Sequence, residues 1–125
     1  MNTSLPSLAT VGYTRRMNLN EYQTLALRTA KPKETKNEVF HLLLGLTGEA
    51  GEIAEKAKKI IRDHDSDFTQ FDLPDLTKEL GDVLWHIAVL ADYFDIELET
   101  VGATNIKKLA SRLERGVIGG SGDDR

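Results

Sequence analysis

Hydrophobic residues recur every three or four positions along most of this 125-residue chain, which is the spacing of amphipathic helices. In the longest run, the apolar positions are Val39, Leu42, Leu43, Leu46, Ala50, Ile53, Ala54, Ala57, Ile60 and Ile61. A second run repeats this spacing with Leu76, Leu80, Val83, Leu84, Ile87, Leu90, Ala91 and Phe94. Strand-like alternation is almost absent, so the pattern predicts an all-α protein.

Local start and stop signals divide the pattern into four helices. Asn18 and Glu21 form a capping-box pattern before the first helix, and Pro74 suits the first turn of the third. Gly116 is a typical residue after the last turn of the fourth helix. The predicted helices cover roughly residues 18–31, 38–61, 76–94 and 98–114.

The third predicted helix is apolar on two sides. With Leu76 as zero and about 100° per residue, Trp85 and Val89 fall near 180° and 220°, opposite the main apolar stripe. This second face needs cover, and another subunit is an economical source. We therefore expect a four-helix bundle-like fold assembled as a homo-oligomer, a dimer or larger, with Trp85 and Val89 near a subunit contact.

The ends of the chain differ from its centre. Residues 1–17 are rich in Ser and Thr and predict a flexible arm, residues 18–118 form one domain, and the Gly-rich, acidic residues 119–125 predict a disordered tail. The start lacks the continuous apolar segment of a secretory signal. No apolar run approaches the roughly 20 residues of a membrane span. We expect a cytoplasmic protein without membrane partners.

Composition narrows the possible chemistry. The net charge is −4 and the chain has no cysteine. An acidic balance argues against nucleic acid as a partner, since nucleic-acid binding requires a basic face. Without cysteine, disulfides, thiolate metal sites and a cysteine nucleophile are excluded.

Two acidic pairs lie beside the apolar stripes. Glu49 and Glu52 fall at roughly −60° and −120° from a central leucine of the second helix, and Glu79 and Asp82 fall at the same angles on the third. Two antiparallel helices packed along these stripes would bring the four carboxylates together. Such a cluster requires a cation, and oxygen ligands favour Mg²⁺ or Mn²⁺. A single acidic pair of this spacing is common on solvated helix surfaces, so spacing alone leaves both interpretations open.

The two motifs resemble a known family. Glu49-Ala50-Gly51-Glu52 and Glu79-Leu80-Gly81-Asp82 are similar to the ExxE and ExxD motifs of the MazG-type all-α nucleotide pyrophosphohydrolases. The segment NIKKLASR, residues 105–112, is similar to a later family segment in which an Asn, a Lys and an Arg serve the nucleotide. The resemblance covers about residues 18–118.

The resemblance implies an enzyme that hydrolyses (deoxy)nucleoside triphosphates to the monophosphate and pyrophosphate, and that clears unwanted nucleotides. It implies Mg²⁺, or Mn²⁺, held by Glu49, Glu52, Glu79 and Asp82. A carboxylate outside full coordination would take a proton from water, and Glu49 and Glu52 are the candidates for this catalytic role.

Candidate substrate contacts follow the same pattern. Asn105, Lys108 and Arg112 share one stripe of the fourth helix and are expected to meet sugar or base and phosphates. The alternative is a set of solvated residues near a helix C-terminus, where the dipole favours cations. His86 lies one turn after Asp82, on the acidic side, and either contacts the nucleotide or orients a carboxylate. Lys56 is either a substrate contact or a neutralising neighbour of the acids.

Few residues are available to distinguish bases. Besides Asn105 and His86, the first helix offers Tyr22 or Gln23. We therefore expect modest discrimination with a lean toward pyrimidines, acceptance of deoxynucleotides, and poor hydrolysis of diphosphates.

Two other classes of protein compete with this interpretation. A ferritin-like iron protein needs two Glu-x-x-His pairs, and this chain offers only Glu38 with His41. A non-catalytic helical nucleotide-binding or interaction module remains the alternative, although it would not need four acids.

Overall fold

The computed structural model describes Leu8 and residues 16–125, and within these residues every regular element is helical. The all-α prediction is therefore confirmed. Most of the predicted arm, residues 1–17, lies outside the described residues. The α-helices are α1 (Leu19–Ala26), α2 (Glu38–His64), α3 (Leu73–Tyr93) and α4 (Leu98–Glu114), and single 3-10 turns follow at Leu27–Thr29 and Phe68–Gln70.

The helix ends follow the local signals. The Asn18 side chain accepts a hydrogen bond from the Glu21 backbone N–H at 2.8 Å, and the Glu21 carboxylate accepts one from the Asn18 N–H at 3.2 Å, which completes the predicted capping box. Helix α3 begins three residues earlier than predicted, because Asp72 caps the Asp75 N–H at 3.1 Å. Helix α4 has the predicted bounds, and Gly116 follows it with a φ of 69°.

Helices α2 and α3 form the most extensive helix contact in the described part of the chain, and α1 and α4 pack on α3. The buried core lies mainly where α1, α3 and α4 meet, and α2 contributes one leucine. The residues of this core are Ala26, Leu42, Ala88, Val89 and Leu98.

The second apolar face of α3 is covered by α1 of the same chain. Val89 is buried in the core, and the Trp85 indole Nε1 donates hydrogen bonds to the Ala26 carbonyl at 3.2 Å and to Thr29 Oγ1 at 2.8 Å. Val89 is therefore not available for a subunit contact, whereas a subunit contact near the half-buried Trp85 stays a prediction. Helix α1 supplies the cover that we had assigned to another subunit.

Helix α2 is rotated relative to the prediction. Its side toward α3 includes Gly45, Glu49 and Lys56, all half-buried, so part of its apolar stripe faces solvent. The inward placement of Phe94 is wrong as well, since this side chain is 57% exposed.

By helical phase, the exposed apolar residues of α2 and of the start of α3 share one side of the helix pair, opposite the acids. We call this surface the hairpin face, and it consists of Phe40, Leu43, Ile61, Leu73 and Leu80.

Gln23 connects α1 to the other helices. Its buried amide Nε2 donates to the carbonyls of Ala88 and Ile96 at 3.0 Å each, and its Oε1 accepts from the Leu98 N–H at 3.0 Å. These contacts satisfy the amide and cap the start of α4. Gln23 is therefore not available to contact a base, contrary to the sequence-based suggestion.

We predict that Gln23→Ala lowers the free energy of unfolding by about 2–4 kcal/mol, because three backbone groups, two of them in buried hydrogen bonds, lose their partner. Chemical denaturation measures the change. Thr24→Ala is the matched control, since this exposed neighbour bonds only to the Asn20 carbonyl, and should cost about 0.5 kcal/mol. Equal effects of the two substitutions would contradict the role assigned to Gln23.

Candidate active site

The two acidic motifs meet at the contact between α2 and α3. Glu49 of α2 and Glu79 and Asp82 of α3 each offer a carboxylate oxygen, and these oxygens lie within 4.8 Å of one another. Glu49 and Glu79 are half-buried between the helices, whereas Asp82 is exposed. The three carboxylates therefore converge on a point that solvent can reach from one side.

Glu52 lies at the edge of this group. Its carboxyl has a pKa above the ordinary value, chiefly because of the negative charge of Glu79, then that of Glu49, and also through a hydrogen bond to Glu79. The four predicted acids thus form one negative cluster. Glu52 is exposed and stands outside the group of three that shares a common point.

The donor set fits a hard divalent cation. Three carboxylate oxygens at this separation can coordinate one ion, and oxygen-only ligation is the preference of Mg²⁺ and Mn²⁺. The raised pKa of Glu52 shows that negative charge in the cluster exceeds the positive charge around it.

Lys56 supplies positive charge beside the cluster. Its Nζ lies 2.5 Å from Asp75 Oδ2 and 3.2 Å from Glu79 Oε1, and these contacts raise its pKa, the hydrogen bond to Asp75 most. Of the two interpretations left open for Lys56, this geometry favours the neutralising neighbour. Two carboxylates already engage its ammonium group, which holds Glu79 in place.

His86 of α3 packs against Gly45 of α2. A Cβ atom at Gly45 would lie 2.4 Å from His86 Nε2, so only glycine leaves room for this ring. His86 Nδ1 lies 2.9 Å from the Asp82 carbonyl oxygen, and the ring meets Trp85 edge to face. The imidazole is thereby fixed one turn from the acidic cluster.

The basic stripe of α4 contacts the end of the chain. Arg112 is buried, and its Nη2 donates to the Gly122 carbonyl at 3.3 Å and to the Asp123 carbonyl at 2.6 Å. Asp123 Oδ1 lies 3.1 Å from both Arg112 Nη2 and Lys108 Nζ, and the two cations lower the pKa of its carboxyl. The sequence analysis missed this partner, for which the acidic character of the tail was the available signal.

Asn105 is exposed and borders an open groove of about 520 Å³ together with Lys108. Within residues 16–125, no hydrogen bond or ion pair connects Asn105, Lys108 or Arg112 to the acidic cluster. The structure therefore brings the predicted residues into two groups, one acidic and one basic.

Comparison with known proteins identifies the class of protein. Residues 38–117 match the MazG nucleotide pyrophosphohydrolase domain, and this range contains both acidic motifs and the basic stripe. The chain belongs to this family, as the resemblance of its motifs implied.

One relative of this chain is the Gene 37 protein of Mycobacterium phage L5. It is 55% identical over 85 residues, which cover 68% of this chain and 75% of the phage protein. No solved structure matches this chain. None of the helices in the described part of the chain has the length and hydrophobicity needed to cross a membrane.

We predict that Glu49→Gln raises the melting temperature of the metal-free protein by about 4 °C, corresponding to about 1 kcal/mol, because it removes one of the crowded negative charges. Mg²⁺ should stabilise the wild type and have little effect on the variant. Thermal unfolding in EDTA and in Mg²⁺ measures both quantities.

Glu55→Gln is the control for this experiment, since Glu55 lies on the exposed side of α2, paired with Lys58 at 2.8 Å. It should retain the Mg²⁺ response of the wild type. An unchanged Mg²⁺ response in Glu49→Gln would contradict a cation site at the cluster.

Proposed function

We propose that this protein hydrolyses (deoxy)nucleoside triphosphates to the monophosphate and pyrophosphate in a Mg²⁺-dependent reaction, with Mn²⁺ as a substitute. Family membership supports a nucleotide pyrophosphohydrolase. The convergence of Glu49, Glu79 and Asp82 carries the finer proposal, because it is an oxygen-ligand site for a hard cation.

Charge explains why the acids need a cation. A triphosphate is strongly anionic and would be repelled by this cluster alone. Bound Mg²⁺ would reverse the local field and polarise the phosphate that is attacked by water. Glu49, Glu79 and Asp82 would hold the cation, and Lys56 would keep Glu79 in position through their 3.2 Å contact.

Of the two candidate bases, we favour Glu52. Its carboxylate is exposed and lies outside the group of three, so it can accept a proton from the attacking water once its hydrogen bond to Glu79 is broken. Glu49 is half-buried in the helix contact and is better placed to hold the cation.

Lys108 and Arg112 would bind phosphate oxygens, with Asn105 nearby to contact sugar or base. The Asp123 carboxylate forms ion pairs with both cations in this structure, so a phosphate would have to displace it. We propose further that the protein acts in the cytoplasm, where nucleotide pools are found, and that it clears unwanted nucleotides.

A panel of ribo- and deoxynucleoside triphosphates with Mg²⁺ and with Mn²⁺ tests this function. The expected products are monophosphate and pyrophosphate, and nucleoside diphosphates should react poorly. Changing Glu49, Glu52, Glu79 or Asp82 to Ala should lower kcat by about a hundredfold or more, corresponding to about 3 kcal/mol. Glu55→Ala is the control and should keep wild-type activity. Full activity in two of the four variants would refute the site.

A non-catalytic nucleotide-binding module is the second candidate. The engagement of Lys108 and Arg112 by Asp123 favours it, since these cations face the tail and not the acids. Such a module would bind nucleotides without releasing pyrophosphate under any metal condition of the panel.

We also propose self-association through the hairpin face, since several large apolar side chains there are exposed, including Leu43 at 44% and Leu80 at 54%. Light scattering should give at least twice the 13.9 kDa mass of one chain. The double variant Leu43→Asp, Leu80→Asp should be monomeric, while Ile106→Asp on exposed α4 should not. A monomeric wild type at micromolar concentration would contradict the proposal.

The contact of the tail generates a separate prediction. Asp123→Ala should lower KM for a triphosphate several-fold and leave kcat unchanged, because it frees Lys108 and Arg112 for phosphate. Asp124→Ala is the control, and steady-state kinetics measure both. An unchanged or higher KM in Asp123→Ala would show that these cations serve the tail and not the substrate.

A further inference from the structure

A small cavity of about 190 Å³, open to solvent, lies beside His86, on the side away from the acidic cluster along α2. It is bordered by the turn after α1, the first turn of α2 and the middle of α3. The side chains that matter here are Lys31, Glu38, His41, Leu42, Trp85 and His86. None of them has a role in the hydrolysis step proposed above.

Glu38 presents an unused acceptor in this cavity. Its side chain is buried, with the residue only 5% exposed, and within the described part of the chain its Oε2 has no hydrogen-bond partner. Lys31 and His41 border the same cavity, and no ion pair between either of them and Glu38 is found among the described residues. The α2 dipole favours an acid at this position, but a buried carboxylate oxygen still requires a donor.

The other walls suit a flat ring. The Trp85 indole is fixed by its hydrogen bonds to Ala26 and Thr29, and Leu42 is 3% exposed beside it. His86 is fixed between Trp85 and Gly45. Fixed aromatic and aliphatic surfaces bind planar rings well, and a buried acceptor at their edge favours a ring that directs a donor group at it.

The cavity is also within reach of the acidic cluster. Glu38 and Glu49 are eleven residues apart on the same helix, which is about 16 Å at 1.5 Å per residue. That span is comparable with a nucleotide extended from its base to metal-bound phosphates. His86 lies between the two places and contacts the Asp82 carbonyl at 2.9 Å.

We propose that this cavity is the base subsite, in which Glu38 accepts a hydrogen bond from the exocyclic amino group of a nucleobase. The identification of the ligand rests on the proposed function. A carboxylate oxygen accepts hydrogen bonds, so it pairs with the amino group of cytosine or adenine. Uracil and hypoxanthine carry a carbonyl oxygen where cytosine and adenine carry the amino group. A carboxylate oxygen of Glu38 repels that carbonyl oxygen. The site therefore favours amino-bearing bases.

Trp85 makes the test independent of catalysis. It is the only tryptophan of the chain and borders the cavity, so its fluorescence responds to a ligand bound there. The metal-free protein is titrated with cytidine and uridine monophosphates, which differ at the group that Glu38 would recognise. Adenosine and inosine monophosphates form a second matched pair. We expect about tenfold tighter binding of the amino-bearing member of each pair.

Glu38→Gln tests the residue itself. The amide has nearly the same shape but can also donate, so the preference for the amino-bearing base should fall at least fivefold or reverse. Glu34→Gln is the control, since Glu34 is exposed and outside the cavity, and it should retain the wild-type preference. The ratio of kcat/KM for deoxycytidine and deoxyuridine triphosphates should shift in the same direction.

The outcomes separate this inference from the proposed function. Pyrophosphate release with no Trp85 response, or with equal binding of both members of each pair, overturns the base subsite and leaves the function standing. A selective Trp85 response without pyrophosphate release supports the subsite and rejects the hydrolase. Preference of the wild type for uridine monophosphate overturns the assignment of Glu38 as an acceptor. If Glu38→Gln does not fold, the wild-type titrations still decide.

Discussion

The carboxylates of Glu49 and Glu79 lie inside the contact between α2 and α3, which is the largest helix contact in the described part of the chain. Two unit charges at about 4.8 Å near a protein surface repel by about 3 kcal/mol. Proteins of this size have a total stability of only about 5–15 kcal/mol, so this repulsion is a substantial fraction. Lys56 offsets part of it through Asp75 and Glu79, and a divalent cation would offset more.

The contact between α2 and α3 also determines which other side chains of the two helices face solvent. Because α2 turns its acidic side toward α3, the far edge of its apolar stripe faces solvent and becomes part of the hairpin face. Gly45 lets His86 approach α2 closely, which fixes the ring between the acidic cluster and the cavity of Glu38. The candidate metal site, the apolar surface and the candidate base subsite therefore all depend on one helix orientation.

Local features of the fold could be predicted from the sequence. The capping box of α1, the bounds of α4 and the turn at Gly116 depend on residues within a few positions of one another. Helical phase is also local, which is why the alignment of the acidic pairs on α2 and α3 could be seen before the structure. The packing of α1 over Trp85 could not be predicted in this way, because the indole and the Ala26 carbonyl are 59 residues apart in the sequence.

The contacts of Arg112 and Glu38 were missed for different reasons. Asp123 reaches Arg112 from a Gly-rich segment whose composition predicts disorder, and composition does not indicate one specific ion pair. Glu38 looked like an ordinary acid in the first turn of a helix, and only its burial without a donor distinguishes it. Both depend on packing between segments, which periodicity along one helix does not reveal.

The central claim is that the α2–α3 contact holds carboxylates ready for a divalent cation. Electron paramagnetic resonance with Mn²⁺ tests it most directly, because the free ion gives a strong signal that decreases on binding. We predict saturable binding by the wild type, weakened at least tenfold in Asp82→Asn and unchanged in Glu99→Gln, an exposed acid on α4. Equal Mn²⁺ binding by Asp82→Asn and the wild type, or no binding by either, would contradict the account.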